Sequence, residues 1–410
     1  MEEPVQGWPR DRVADACALG IALLVGALLL PTLASIRYAE NPDEAYYLAY
    51  ARHFAEHGFA GFRQLFADYQ AEPARWLYPN PLRIGYIALA AGWTAIFGSS
   101  FGALSLLSLL SHVLLVGASY LFLKGLWDAP RALAGAALCA CSPLLLGIAR
   151  RAWLDGPATL AGLLVLWSFC VWLRAPRGRA LACFAVAFGV GVLIKETTAL
   201  LLVPCAALFL YERFAGRRAV PFLPLAAALA VPLLVCAAIW VSSAGGVAPW
   251  TGVVRIILAS PESNAYAQQF GSGPWYRYLV DLMLLSPWVT LLGVAALGPA
   301  ALRARERVPG DAAVWLALVF AGLLAAYAPF TKNVRYVALG EVPLCALAAG
   351  LVFTLTRADR DRRGLAVAAG AVVLLGAAGW LSFQAVFVDA NLYDPMTASL
   401  LFLRGLAPQP

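Results

Sequence analysis

The feature that most constrains this chain is a series of apolar stretches separated by short polar loops. A helix of about 20 mainly apolar residues can cross the hydrocarbon core of a membrane. We predict eleven such spans, near residues 13–36, 102–123, 131–149, 156–174, 180–195, 197–211, 219–243, 278–300, 312–330, 334–356 and 364–387. The sequence therefore predicts an all-α fold, a polytopic transmembrane helical bundle of about eleven spans.

The composition supports lipid as the solvent of this chain. Hydrophobic residues make up 62% of the chain and charged residues 13%, whereas a soluble domain is about half apolar and a quarter charged. The net charge of +7 does not indicate a nucleic-acid partner, because the basic residues form short clusters between apolar runs. The eight cysteines all lie within apolar runs, which is typical of buried thiols rather than of disulfides or a metal site.

The basic loops orient the chain in the membrane. With a cytoplasmic N-terminus, and with the short apolar stretch 84–98 not crossing, every loop expected on the inner side is short and basic. We therefore interpret 84–98 as a juxtamembrane or re-entrant helix. The chain then forms a single transmembrane domain over 1–410, with two large outer segments: 37–101, which holds the juxtamembrane helices, and 244–277.

Neither outer segment is large enough for a separate nucleotide-binding domain. No Walker A motif and no GxGxxG fingerprint follows a predicted strand. An enzyme of this architecture would therefore receive its donor through the bilayer.

Charged residues gather where the spans meet the outer boundary. Charges close to the hydrocarbon are costly and usually serve a function. They come from loops far apart in sequence, and helix packing can bring them to one cavity. These residues are Asp43, Glu44, Arg150, Arg151, Asp155, Lys195, Glu196, Lys332, Arg335 and Glu341.

Asp43 and Glu44 begin an amphipathic segment that suits a helix in the membrane interface. Their position is typical of a first helical turn, with Asn41 as the N-cap and Pro42 as the first helical residue. A functional interpretation is also open, because adjacent carboxylates can repel each other and raise the pKa of one, which favours a general base. Both acids are therefore candidate catalytic groups.

The next candidate loop contains Arg150, Arg151 and Asp155. It can be explained as a helix end and a restart, with Asp155 at the N-terminus of the next span. Two arginines on the outer side oppose the usual charge bias, however, and this favours an anion-binding role for them.

Further cations in the outer turns are candidates for phosphate binding. Lys195 can simply pair with its neighbour Glu196, but an ammonium at the membrane boundary is also a natural partner for a phosphate. Arg335 suits bidentate contact with phosphate oxygens because its guanidinium is planar. Lys332 lies in the same turn as Arg335, and Glu341 can be a satisfied buried acid farther along the span.

A metal site is not predicted. His53 and His57 are four residues apart, a spacing that permits two ligands on one helix face. They do not form an HExxH motif, so solvated histidines explain the pair better. No cofactor is required; an acidic pair can also hold a divalent metal, which we do not predict.

Five segments, taken in order, resemble the GT-C superfamily of membrane glycosyltransferases. They are NPDEAYYLAYARHFAEHG, PLRIGYIALAAGWTAIFGSSFG, RRAWLDGPATLAGLLVLW, GVGVLIKETTALLLVP and KNVRYVALGEVP. The likeness is to the protein O-mannosyltransferases and the aminoarabinose lipid A transferases, and it covers most of residues 37–350. The resemblance implies an enzyme that transfers a sugar from a polyprenyl-phosphate donor outside the cytoplasm.

The resemblance also implies roles for individual residues. Asp43 would be the base that activates the acceptor, with Glu44 assisting, and Asp155 would be the acid of the second outer loop. A single-step displacement predicts inversion at the anomeric carbon. Contacts to the donor phosphate are expected from Lys195, Arg335, Arg150, Arg151 and Lys332.

Two other functions compete with the transferase. A multi-pass transporter or lipid flippase would place ionisable groups near the midplane of repeated halves, whereas the centres of these spans are nearly free of charge. A membrane scaffold would not need basic residues on three outer turns. We therefore expect a glycosyltransferase of the bacterial inner membrane whose site faces outward. Its partners would be a polyprenyl-phosphate sugar, a lipid, glycan or protein acceptor, and membrane lipids.

Overall fold

The computed structural model describes residues 8–36, 42–216, 218–263, 271 and 273–390, without the side chains of 8–10, 42 and 260–263. Asn41, the predicted N-cap, lies outside these residues. Every regular element in the described part of the chain is a helix. The predicted all-α fold is therefore confirmed.

We number the helices in chain order. The first nine are α1 Trp8–Leu29, α2 Pro42–His57, α3 Gly61–Ala71, α4 Ile84–Phe97, α5 Phe101–Leu126, α6 Ala129–Ala140, α7 Pro143–Ala149, α8 Asp155–Arg174 and α9 Gly178–Ile194. The following ones are α10 Leu202–Leu210, α11 Phe222–Ala244, α12 Val247–Ser263, α13 Arg277–Leu285, α14 Pro287–Ala295, α15 Leu297–Glu306, α16 Ala312–Tyr327, α17 Glu341–Thr356 and α18 Arg362–Phe383. Short helical turns precede α10 at Glu196–Leu201, precede α17 at Val334–Gly340 and follow α18 at Gln384–Asp389.

The chain is a multi-pass membrane protein. Eight helical segments among the described residues are long and apolar enough to cross a membrane, and the bent pair α6–α7 is a ninth candidate. Two further predicted spans coincide with α9 and α16, which are apolar but contain only 17 and 16 residues. The predicted count of eleven is therefore not confirmed. Helix α4 has 14 residues and is short for a crossing, in keeping with the juxtamembrane interpretation of 84–98.

The centre of the bundle is built around α17, which is the most enclosed of the candidate spans. It packs against α6, α14, α16 and α18. Its buried residues include Ala346, Ala348 and Ala349, small side chains that let neighbouring helices approach closely. Helix α11, by contrast, is largely exposed, as expected of a helix that faces lipid.

Two predicted spans are broken rather than continuous. The predicted span 131–149 bends by 58° between α6 and α7, where Pro143 starts the second helix. The predicted span 278–300 is divided into α13, α14 and α15, and Pro287 starts α14. Because proline cannot donate a backbone hydrogen bond, it suits the first turn of a helix better than its interior.

Helices also occupy the two predicted outer segments. Helices α2, α3 and α4 follow one another within 37–101, and α2 packs on α4. The segment 244–277, predicted as a loop, contains α12, which packs on α3. The chain turns from α11 into α12 at Gly245 and Gly246, whose φ angles of 83° and 147° are accessible mainly to glycine.

Candidate active site

Asp155 lies at the centre of the candidate site. It is the first residue of α8, and its side chain is only 6% exposed. Its Oδ1 accepts a hydrogen bond of 2.7 Å from Lys195 Nζ, and its Oδ2 lies 3.7 Å from Arg335 Nη1. Since a helix N-terminus favours negative charge, the helix dipole and two cations together stabilise this carboxylate.

Asp43 joins the same cluster through Arg335. The Nη1 atom of Arg335 lies 3.6 Å from Asp43 Oδ2, so one guanidinium bridges the acids of α2 and α8. Asp43 is more open than Asp155, with 29% of its side chain exposed. The structure thus brings together four of the eight predicted site residues: Asp43, Asp155, Lys195 and Arg335.

Local backbone breaks place the two cations. Helix α9 ends at Ile194, and Lys195 is extended (φ −148°, ψ 117°) before the turn Glu196–Leu201. Arg335 lies in the first turn after Asn333, whose side-chain oxygen accepts a hydrogen bond of 3.1 Å from the Arg335 N–H. Both cations therefore project from helix ends, where the chain changes direction.

Two aromatic rings support the cations. The guanidinium carbon of Arg335 lies 4.4 Å from the ring centroid of Trp153, and Lys195 Nζ lies 5.0 Å from that of Tyr336. Ring faces attract cations, and more strongly where water is excluded, as at Trp153, which is buried. Neither ring was among the predicted site residues, although both lie within motifs that carried the GT-C resemblance.

A small cavity opens beside Asp155, Lys195 and Arg335. Its volume is about 30 Å³, which is room for roughly one or two water molecules. Hydroxyl-bearing residues line part of it: Thr159, Thr197, Thr198, Tyr327 and Tyr336. Apolar side chains line the rest, chiefly Ala158, Leu201, Leu323 and Leu339. Cations, neutral hydrogen-bond donors and an apolar wall together suit the phosphate end of a lipid.

Glu44 and Arg151 form a separate, buried ion pair. Arg151 Nε and Nη2 donate to the two Glu44 oxygens at 2.9 and 2.8 Å, and the Ala152 N–H donates to one of them at 2.9 Å. Burial raises the pKa of the Glu44 carboxyl, while Arg151 and the Ala152 amide oppose that rise. Neither partner lines the cavity. Their placement favours fastening α2 to the loop before α8 over the predicted catalytic and phosphate-binding roles.

Arg150 is directed to helix ends rather than to the cavity. Its side chain is almost fully buried and donates to the backbone oxygen of Phe387. It also donates to Thr32 O at 2.9 Å and to Ser35 Oγ at 2.8 Å. These contacts join the end of the first helical segment to the turn that follows α18.

Lys332 is likewise engaged with the backbone. Its Nζ donates to Ala328 O at 2.5 Å and to Phe330 O at 2.7 Å, at the end of α16. Desolvation lowers the pKa of the Lys332 ammonium, and the charge of Arg277 lowers it further. The structure does not place Lys332 on the cavity beside Lys195.

The remaining polar candidates lie outside the cluster. Glu341 is buried at the start of α17, where Cys345 Sγ lies 3.8 Å from its Oε2. The rings of His53 and His57 stack with 4.5 Å between centroids, and each has a ring nitrogen 3.1 Å from a backbone oxygen. Within the described ranges, no three His, Cys, Asp or Glu side chains are grouped so that they could hold a metal ion.

The sequence did not predict an ionic cluster that lies beside the site. Arg83, in the turn before α4, contacts both carboxylate oxygens of Glu196 at 3.3 Å and donates to the Tyr47 hydroxyl. Asn80 Nδ2 donates to the same carboxylate at 2.9 Å. An arginine in an outer loop opposes the charge bias of membrane proteins, and that signal could have found Arg83.

Comparisons with known proteins agree with the fold. The family model described as dolichyl-phosphate-mannose-protein mannosyltransferase matches residues 81–240. A curated relative from Pseudomonas fluorescens, undecaprenyl phosphate-alpha-4-amino-4-deoxy-L-arabinose arabinosyl transferase 1, is 30% identical over 246 residues. That alignment covers 53% of this chain and 40% of the relative.

Solved structures show the same architecture. The archaeal oligosaccharyltransferase AglB from Archaeoglobus fulgidus, in complex with an inhibitory peptide and a dolichol-phosphate, superposes with a TM-score of 0.57 at 13% identity, covering 96% of this chain and 60% of that chain. ArnT from Cupriavidus metallidurans, bound to undecaprenyl phosphate, gives 0.54 at 17% identity, covering 98% of this chain and 72% of that chain. The resemblance to the GT-C membrane glycosyltransferases is confirmed.

The GT-C likeness differs in extent between sequence and structure. In sequence, the chain spans about 40% of the length of the curated relative that it matches. In structure, the fold is shared over nearly the whole chain. The Asp43–Arg335–Asp155–Lys195 cluster draws on four separate elements of this chain.

Proposed function

We propose that this protein transfers a sugar from a polyprenyl-phosphate donor to a lipid, glycan or protein acceptor at the outer face of a bacterial inner membrane. The observation that carries the proposal is the bridge made by Arg335, which reaches both Asp43 and Asp155 beside the cavity that Lys195 lines. The relatives add support, since they include an arabinosyl transferase and structures with dolichol-phosphate or undecaprenyl phosphate.

In this proposal Lys195 and Arg335 hold the donor phosphate. As the bond between the sugar and the phosphate oxygen breaks, negative charge accumulates on the departing phosphate. Fixed cations in a water-poor site stabilise that charge more in the transition state than in the ground state. Asp155 holds both cations in place before the donor binds.

Asp43 acts as the general base. It takes the proton of the acceptor group while the acceptor atom bonds to the anomeric carbon, and polyprenyl phosphate leaves with the bonding electron pair. No covalent sugar–enzyme intermediate is needed, so the configuration inverts. The 29% exposure of Asp43 leaves it open to an acceptor, in contrast to the enclosed Asp155. The transferred sugar is a pentose or a hexose.

The proposal is tested by mass spectrometry of envelope lipids, glycans and glycoproteins from cells that contain the protein, lack it, or contain Asp43→Asn. We expect one glycosylated species in cells with the wild-type protein and its reduction by at least about 100-fold in Asp43→Asn, because general-base catalysis contributes that much. Asp68→Asn is the matched control, since Asp68 is an acid of α3 whose partners are Gln64 and Arg75.

Two outcomes would contradict the proposal at different levels. If no glycosylated species depends on the wild-type protein, the transferase assignment is wrong. If the species persists at wild-type level in Asp43→Asn, the transferase assignment stands but Asp43 is not the base.

A further inference from the structure

Arg83 contacts both the turn that follows Lys195 and the helix that carries Asp43, and it does not line the cavity. Its guanidinium makes a bidentate contact with Glu196, with Nε and Nη2 each 3.3 Å from a carboxylate oxygen. Its Nη1 donates to the hydroxyl of Tyr47. Planar bidentate contacts of this kind fix both direction and distance, so Arg83 holds its two partners in a defined relation.

The first partner determines where Lys195 lies. Glu196 directly follows Lys195 at the corner where α9 ends. Besides its contact with Arg83, Glu196 accepts a hydrogen bond of 2.9 Å from Asn80 Nδ2. Asn80 Oδ1 in turn accepts a hydrogen bond of 3.0 Å from the Leu82 N–H. The corner that carries Lys195 is thereby fastened to the turn before α4.

The second partner determines where Asp43 lies. Tyr47 is four residues after Asp43 in α2, so the two side chains share one face of the helix. Burial raises the pKa of the Tyr47 phenol well above its ordinary value, so the hydroxyl stays protonated and accepts from Arg83 through its oxygen lone pair. Helix α2 is thus fastened to the same guanidinium as the Lys195 corner.

We propose that Arg83 is a positioning residue that sets the separation between Asp43, the base, and Lys195, which holds the donor phosphate. This inference rests on the proposed function. Arg83 does not line the cavity, and its three guanidinium nitrogens contact Glu196 and Tyr47. Its effect on transfer therefore comes from geometry rather than from contact with the donor.

Steady-state kinetics of purified, membrane-reconstituted protein test this inference. Arg83→Gln should lower kcat about 10- to 100-fold, because a displacement of about 1 Å between reacting groups has an effect of that size. The KM for the donor and the affinity for undecaprenyl phosphate should change by less than about threefold, since Asp155 still accepts from Lys195 and Arg335 remains. Arg83→Lys keeps one contact at a time and should recover part of kcat.

A matched control and a double substitution separate positioning from general stability. Arg75→Gln removes another outer arginine that pairs with two carboxylates, Glu72 at 2.7 Å and Asp68 at 3.4 Å, and should leave kcat unchanged. Arg83→Gln combined with Glu196→Gln should lower kcat no more than Arg83→Gln alone, because Arg83→Gln already removes the contact with Glu196.

The outcomes distinguish this inference from the proposed function. If Arg83→Gln weakens undecaprenyl phosphate binding more than about tenfold while kcat is unchanged, Arg83 contacts the donor and the positioning role is overturned. If Arg83→Gln and Arg75→Gln behave alike, Arg83 has no special role. In both cases wild-type transfer leaves the proposed function standing, whereas a wild-type protein without transfer activity removes that function itself.

Discussion

At the scale of single residues, Asp155 pairs with Lys195 and Arg335, the two cations that we propose for the donor phosphate. A buried pair of opposite charges adds little net stability, because desolvation offsets much of the attraction. Removing one partner is costly, however, because it leaves an uncompensated charge. The 2.7 Å contact between Asp155 and Lys195, whose side chains are 6% and 8% exposed, is such a pair. In the proposed function, this pair holds Lys195 in place for the donor rather than stabilising the fold.

Lys195→Met should weaken binding of undecaprenyl phosphate about 10- to 100-fold. A hydrogen bond to a charged group contributes roughly 1.5–3 kcal/mol, and the freed Asp155 carboxylate would repel the phosphate. Lys332→Met is the matched control, because Lys332 donates to backbone oxygens at the end of α16. Binding is measured by native mass spectrometry, with thermal unfolding to check that both variants fold. Equal weakening by both substitutions would show that the two lysines serve the phosphate alike.

The sequence predicted the residues of the site better than their contacts. Arg150 and Arg151 were equivalent candidates as neighbours in one motif, yet only Arg151 reaches Glu44. Glu44 was grouped with Asp43 for the same reason, but it turns into the protein while Asp43 turns toward Arg335. Consecutive residues of a helix point about 100° apart. A motif therefore locates a site along the chain without showing which of its members faces the cavity.

At the scale of helices, the site depends on how closely α4 approaches the end of α9. A Cβ atom on Gly85 would lie 2.9 Å from the backbone carbonyl carbon of Leu193 and 3.0 Å from Ile194 N. Real side chains do not make contacts that short with backbone atoms, so only glycine fits there. Lys195 is the next residue along the chain, and the packing of α4 therefore affects its position.

Gly85→Ala should destabilise the protein by about 1–3 kcal/mol, as overpacking commonly does, and should lower transfer activity. Gly92→Ala, in the same helix, places its Cβ where no neighbour lies within 4 Å. That control should be neutral or stabilising by up to about 1 kcal/mol, since alanine favours helix more than glycine does. Thermal unfolding in detergent and a transfer assay measure both effects. Equal behaviour of the two variants would contradict the close approach of α4 to α9.

The continuous spans could be predicted because lipid demands apolar helices of a certain length. The breaks could not, although their prolines are visible in the sequence. Pro143 and Pro287 start new helices, whereas Pro232 lies inside the continuous helix α11. Membrane helices tolerate proline where neighbours satisfy the freed backbone groups. Whether a proline breaks a span is therefore decided by packing partners that the local sequence does not reveal.

At the scale of the whole molecule, the two ends of the bundle differ in the charged residues that they carry. Helix α8 begins with Asp155 in the candidate site and ends with Arg174. At the Arg174 end, Glu212 pairs with Arg218 at 3.2 Å and accepts from the Gly310 N–H at 2.8 Å, so the basic loops contact one another. The positive-inside rule therefore predicts that this end faces the cytoplasm and that the candidate site faces outward.

This orientation predicts opposite labelling of two introduced cysteines. In a background without the exposed Cys17 and Cys183, Ala74→Cys should react with a membrane-impermeant maleimide on intact cells. Glu306→Cys, at the end of α15, should react only after the cells are permeabilised. Both positions are exposed in the structure, so accessibility within the fold does not limit labelling. The reverse pattern would place the candidate site in the cytoplasm.

The contacts of Arg150 connect the loop before Asp155 to two segments that are far from it in sequence. Its guanidinium donates to Thr32 O and Phe387 O, 118 and 237 residues away. An enclosed charge that loses such acceptors has no water to replace them. Deleting the turn Gln384–Asp389 would therefore disturb the loop that leads to Asp155, although the deletion is remote in sequence from every proposed catalytic group. A fragment that keeps these contacts of the loop must include both Thr32 and Phe387.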